Sequence, residues 1–135
     1  LEYVTDIDAV LKEFARLLKP HGKISVVKHN QKGRVLQKVV FENNMDQALD
    51  ILNGAGAKSE AFGAIYYYDA KSIFEKHSFH IEKILGIRTF WGLQQNNQIK
   101  YEANWEDDMF RMEMNVCEDE AFRAISFYHH IMLSQ

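Results

Sequence analysis

The chain has 135 residues, 47% hydrophobic and 26% charged, with a formal net charge of −3, which fits one domain with a real core and is too short for two. This balance gives no global pull toward nucleic acid, although a local basic patch stays possible, and the single cysteine, Cys117, excludes an intrachain disulfide and points to a reducing, cytoplasmic setting. No apolar run approaches the ~18–20 residues of a membrane helix, and the mixed opening Leu1-Glu2-Tyr3-Val4-Thr5-Asp6 lacks signal-peptide character.

Ile7, Val10, Leu11, Phe14, Leu17 and Leu18 recur at three- and four-residue spacing and predict a helix over 6–18 with those residues on one face. Thr5 and Asp8 have the spacing of a capping box, and Lys19-Pro20-His21-Gly22 ends the helix and turns the chain. The β-branched run over 23–27 reads as a strand. Helix, tight turn and strand form the second half of a βαβ crossover, so a parallel partner strand is expected upstream of Leu1. A helical pattern follows over 31–53, with Val35, Leu36, Val39 and Val40 on one face and Asn43-Asn44 as an interruption before Met45, Ala48, Leu49 and Leu52. Gly54-Ala55-Gly56 is a stop, the aromatic stretch 62–68 is ambiguous, and a short helix capped by Asp69 ends near His77. A second strand is predicted over 79–87, with Gly86 at its end or in a bulge. Beyond a polar loop at 93–98, Trp105, Met109, Met112 and Val116 line one face of a helix as core packing, and 127–133 closes the chain as a strand. The elements amount to one α/β domain or part of one.

Leu1-Glu2-Tyr3-Val4, the helix, and Leu17-Leu18-Lys19-Pro20-His21-Gly22-Lys23-Ile24-Ser25-Val26-Val27 together resemble a class I S-adenosylmethionine-dependent methyltransferase. In that family the fourth strand ends in a segment like the first of these, and a helix leads through a Leu-Leu-Lys-Pro-Gly-Gly turn to the fifth strand. His21 stands where the first glycine of that pair is usual. The resemblance implies a partial Rossmann-like sheet of strands five to seven, the last antiparallel and slotted between the fifth and sixth, with flanking helices. Residues 1–135 are then the C-terminal part of a single methyltransferase domain, and the cofactor-binding N-terminal part lies upstream. Gly86-Ile87-Arg88-Thr89-Phe90, Met112-Glu113, Cys117, Glu120-Ala121-Phe122-Arg123 and Tyr128-His129-His130-Ile131 resemble, more narrowly, the tail of the bacterial enzymes that methylate the carboxymethoxy group of tRNA wobble uridine. Ala121 and Phe122 stand where that branch has proline and tyrosine.

The resemblance implies methyl transfer from S-adenosylmethionine to a small-molecule or tRNA acceptor in the intact protein, and an inactive, self-associating chain when residues 1–135 stand alone. It sets Leu1 and Glu2 beside the cofactor and Tyr3 beside the acceptor, at the carboxyl end of the fourth strand, where open α/β sheets bind ligands. His29 and Asn30 follow the strand over 23–27 at the same rim. His29 is a candidate general base because imidazole titrates near neutrality, and Asn30 a candidate acceptor contact. Arg88, after the strand over 79–87, can grip a carboxylate or phosphate through its planar fork. Each has a plainer alternative as a loop or surface residue. Tyr66-Tyr67-Tyr68 can stack on a base or wall a pocket, with strand alternation dividing them between core and solvent.

Gly54-Ala55-Gly56-Ala57-Lys58-Ser59 follows a helix rather than a strand, so it reads as a turn and not as a dinucleotide fingerprint. Of the six histidines, His77 and His80 straddle a helix end and His129 and His130 point to opposite faces of a strand, so no metal site is expected. A different class of function, a standalone α/β interaction or dimerisation module without catalysis, remains the alternative.

Overall fold

The computed structural model describes residues 1–54, 63–66 and 68–135. The first helix, α1 (Ile7–Leu17), is capped by Asp6, whose side chain accepts from the Ala9 backbone N–H. Asp8 therefore has no capping task; it pairs instead with Lys76 and His77 across the domain. The inner face of α1 runs through Ile7, Leu11, Ala15 and the adjoining Leu18. Phe14 and Leu17, expected on that face, are exposed.

The chain then forms β1 (Ile24–His29), α2 (Gln31–Val40), α3 (Met45–Leu52), α4 (Ala70–Lys76) and β2 (His80–Ile87). β1 continues two residues past its predicted end, so His29 is a strand residue and not a loop residue. Gly54, with φ of +81°, ends α3; the rest of the glycine-containing turn, Phe62 and Tyr67 lie outside the described residues. Two 3₁₀ turns, Trp91–Leu93 and Ile99–Tyr101, flank the polar loop. They lead to α5 (Trp105–Val116), then α6 (Glu120–Ile125), a short helix that periodicity does not announce, and finally β3 (Tyr128–Ser134).

The sheet has the order β1-β3-β2, with β3 antiparallel to both neighbours. β1 and β2 therefore run in the same direction, and His29, Tyr128 and Ile87 stand side by side in one row at their carboxyl ends. The bulge in β2 falls between Ile81 and Lys83, not at Gly86. One face of the sheet packs on α1 and α4 through Leu11, Val26, Phe74, Phe79, Ile131 and Leu133. On the opposite face Ser25 and Val27 are exposed, and Val27 keeps 51% of its surface in water. Among the described residues the second edge of β1 has no strand partner.

Two elements depart from their expected burial. α2 was expected to bury Val35, Leu36, Val39 and Val40, yet Val39 and Val40 are exposed and the helix is buried at Gly33 and Lys38. α5 was expected to present Trp105, Met109 and Met112 to the core. Met112 is exposed, along with Phe110 and Met114, and the helix meets the rest of the molecule through Trp105, Glu113, Val116 and Cys117.

Gly33 explains the seating of α2. A Cβ there would stand 2.3 Å from the Ser126 carbonyl oxygen and 2.7 Å from Phe127 Cα, so the helix backbone rests directly on the connection between α6 and β3. On an exposed helix Gly→Ala stabilises by ~1 kcal/mol. Here the sign reverses, because backbone atoms cannot rotate away. Gly33→Ala should lower stability by about 2 kcal/mol or more in urea unfolding, and a neutral or stabilised variant would mean that α2 is not held by this approach.

Candidate functional site

The carboxyl ends of β1 and β2 gather most of the residues singled out in the sequence. Glu2 and His29 are only 6% and 9% exposed. Glu2 Oε1 accepts from the His29 backbone N–H at 2.9 Å, and Oε2 lies 2.7 Å from His29 Nδ1. The carboxylate thus satisfies one backbone donor of β1 and also orients the imidazole. The ring is held between Tyr66, 4.2 Å away between centroids, and Tyr128, at 4.6 Å. Arg34, one helical turn beyond Asn30, has its guanidinium 5.1 Å from the Tyr66 ring, and Arg88 stands 5.7 Å from Tyr128. Each tyrosine therefore has both an imidazole and a guanidinium for neighbours, a favourable arrangement for ring faces of negative potential.

Lys28 adds a third cation. It is 6% exposed, its ammonium donates to the His29 carbonyl at 2.8 Å, and it lies 5.5 Å from the Tyr68 ring. Burial pushes its pKa down to about 8, against the opposing pull of the Glu2 and Asp69 charges. Burial pushes the Tyr68 phenol up to about 12, and its hydroxyl, like Arg34 Nε, is buried without a hydrogen-bond partner among the described residues.

The other candidates divide. Asn30 is buried, and its side-chain N–H₂ donates to the carbonyls of Ala124 and Ser126; it ties the end of β1 to the connection before β3 and offers that nitrogen to no ligand. Leu1 packs against the core, and both Glu2 oxygens are engaged by His29. Tyr3 is 68% exposed. Arg88 is exposed, with φ of 58°. The turn it begins is held by Glu113, which accepts from the backbone N–H groups of Thr89, Phe90 and Trp91. On its far side Arg88 lines a groove of about 450 Å³ with Ile87, Trp91, Met109, Phe110 and Met114. His77 binds Asp8, His129 faces the Arg123 carbonyl and His130 meets Ser25. Among the described residues no three His, Cys, Asp or Glu side chains stand close enough to hold a metal ion.

Lys28, Arg34 and Tyr128 were not read as site residues in the sequence. Tyr128 could have been found from the strand order, since an antiparallel closing strand sets it across from His29. Lys28 and Arg34 carried no such signal, because burial of a lysine in a strand and the turn of a helix over a tyrosine are products of packing. In comparisons with known proteins, no family model matches the chain and no curated protein matches it.

The Lys28 ammonium makes stability depend on pH in a defined direction. A cation whose folded pKa is depressed from 10.5 to about 8 loses its proton earlier in the folded chain than in the unfolded one. Its burial penalty acts in full below about pH 8 and is relieved as pH rises towards 10.5, and the shift corresponds to about 3 kcal/mol. Above pH 10 the raised pKa of Tyr68 works the other way, since the unfolded phenol ionises first. Urea unfolding should therefore show stability rising between pH 8 and 10, and Lys28→Met should flatten that rise. An unchanged profile in the variant would remove Lys28 as its source.

Proposed function

We propose that residues 1–135 are the C-terminal part of an S-adenosylmethionine-dependent methyltransferase domain, which in the intact protein transfers a methyl group to a small-molecule or tRNA acceptor. The single observation that carries this reading is the strand order. An antiparallel closing strand lies between two strands that run in the same direction, as the resemblance implies for strands five, seven and six. The polar rim supports it further: Glu2 pairs with His29 at the carboxyl end of β1, and Arg88 follows β2 beside Tyr128, where open α/β sheets bind ligands. In this reading the cofactor supplies an activated methyl group, the contacts that hold it come from a segment other than residues 1–135, and this chain's residues position the acceptor. Such a reaction needs proximity and alignment more than covalent help from the protein.

Calorimetric titration of S-adenosylmethionine into residues 1–135 should give no measurable heat, whereas the intact protein should bind it and transfer isotope-labelled methyl. Micromolar binding to residues 1–135 would overturn the division of labour, and an intact protein that neither binds the cofactor nor transfers methyl would overturn the function. In the intact protein Arg88→Ala should reduce turnover by about tenfold or more with cofactor affinity unchanged, the mark of an acceptor contact; unaltered kinetics would return Arg88 to the surface.

Self-association of residues 1–135 belongs to the same reading. Among the described residues the second edge of β1 has no strand partner, so backbone groups there other than those of His29 are open to pairing, and Val27 beside it is exposed together with Phe14 and Leu17 of α1. At ~25 cal/mol per Å² of apolar surface, a few hundred Å² is worth several kcal/mol to association. Sedimentation equilibrium should show dimers or larger species; a stable monomer with a cooperative melt would favour the alternative, a standalone module whose sheet is complete.

A further inference from the structure

We propose, independently of the methyl-transfer reading, that the groove along α5 docks a basic amphipathic helix of a partner protein. Its apolar stripe would lie on the groove floor, with lysine or arginine beside Glu106 and Asp107. The groove of about 450 Å³ runs between α5 and the turn after β2, and its apolar lining includes Ile87, Met109, Phe110 and Met114. α5 is seated by polar contacts. Glu113 accepts from the N–H groups of Thr89, Phe90 and Trp91, and the Gly86 N–H donates to the Cys117 carbonyl at 2.8 Å. The helix is thus held while its own apolar side chains stay in water: Phe110 is 65% exposed and Met114 56%. Apolar surface gathered along one trough marks an interaction site, where scattered single side chains do not.

Shape and charge name the occupant. The lining extends from Glu106 to Cys117, roughly 16 Å at the helical rise of ~1.5 Å per residue, which matches three turns of a second helix. A small-molecule pocket buries most of its ligand, whereas Phe110 and Met114 form an open lip. Methionine side chains adapt to the apolar face of a docked helix. Glu106 and Asp107 line the groove, and among the described residues neither is in an ion pair. Acidic residues in a first helical turn offset the helix dipole and by themselves ask for no partner. Placed at one end of an apolar trough, they set the sign of the charge that suits it. A second copy of α5 does not supply that charge, because its one basic residue, Arg111, is already paired with Asp108 at 2.6 Å. The groove also adjoins β2, at the opposite edge of the sheet from the open side of β1, so a strand added to β1 leaves it uncovered.

The test is methyl NMR of methionine-labelled intact protein, titrated with two synthetic peptides of about four helical turns. Both carry leucine at i, i+3, i+4 and i+7, and they differ only in flanking the stripe with lysine or with glutamate. The lysine peptide should shift the Met109 and Met114 methyl resonances saturably and leave that of Met45, 46% exposed on α3, in place. The glutamate peptide should bind about tenfold more weakly or worse. Glu106→Gln combined with Asp107→Asn should abolish that difference, and Phe110→Ala should weaken both peptides several-fold. These three side chains are exposed, so the variants should keep the wild-type urea midpoint. Equal shifts at Met45, or equal affinity for the two peptides, would overturn the proposal. Met114 shifts that follow protein concentration without peptide would overturn it in favour of a second copy. A response to benzyltrimethylammonium but to neither peptide would overturn it in favour of a small-molecule pocket.

Discussion

Every strand-to-strand hydrogen bond of the sheet involves β3. β1 and β2 never touch as strands; each is held only by its pairing to the closing strand. Because β3 is antiparallel to both, it aligns their carboxyl ends, and the row His29, Tyr128, Ile87 is a direct product of that register. A one-residue slip would move His29 to the opposite side of the sheet from Tyr128. The connection into β3 is held as tightly. Gly33 and Gly86 let α2 and β2 approach Ser126, Phe127 and Arg123 at distances no Cβ would permit, and Asn30 donates to two carbonyls of the same stretch. The last strand is thereby seated from three directions.

The rim above this row concentrates charge in a place that burial makes costly. Glu2, Lys28 and His29 are nearly out of water, and removing a charge from water is recovered only when its hydrogen bonds are made. The pairing of Glu2 with His29 does this, and it also covers a backbone N–H on the edge of β1 that has no strand partner among the described residues. Lys28 covers the carbonyl of the same residue. One residue of an open edge is thus closed by two side chains, which frees its imidazole to face the rim without a neighbouring strand. Among the described residues the Tyr68 hydroxyl and Arg34 Nε are buried without a hydrogen-bond partner.

The residues that departed from expectation did so for related reasons. Val39 and Val40 looked like an inner face, but a helix seated by a glycine against backbone buries its smallest residue rather than its largest. Met112 and Phe110 looked like core, but α5 is anchored by the carboxylate of Glu113 and by the contact between Trp91 and Trp105, so its remaining apolar side chains stay wet. Thr5 and Asp8 had the spacing of a capping box, but Asp6 was equally placed to cap, and Asp8 found Lys76 and His77 from another element. In each case a long-range partner displaced a pattern that was sound locally.

Periodicity, turn residues and the closing β-branched and aromatic run were enough to set the helix of residues 7–17, the three strands and the α/β class from the sequence alone, because those signals act between residues within one or two turns of one another. They also set Arg88 just after the second strand, whereas His29, expected in the loop after the first, lies within β1. Tertiary structure alone decided that Glu2 would face His29 across 27 residues of sequence, that Asn30 would be turned inward to two carbonyls, and that Lys28 would be drawn out of water beside Tyr68. Those outcomes depend on the insertion of β3 and on the direction each side chain takes once the sheet is closed. No local pattern carries that information, since the energy of a buried charge is set by which partners surround it and not by its neighbours in the chain.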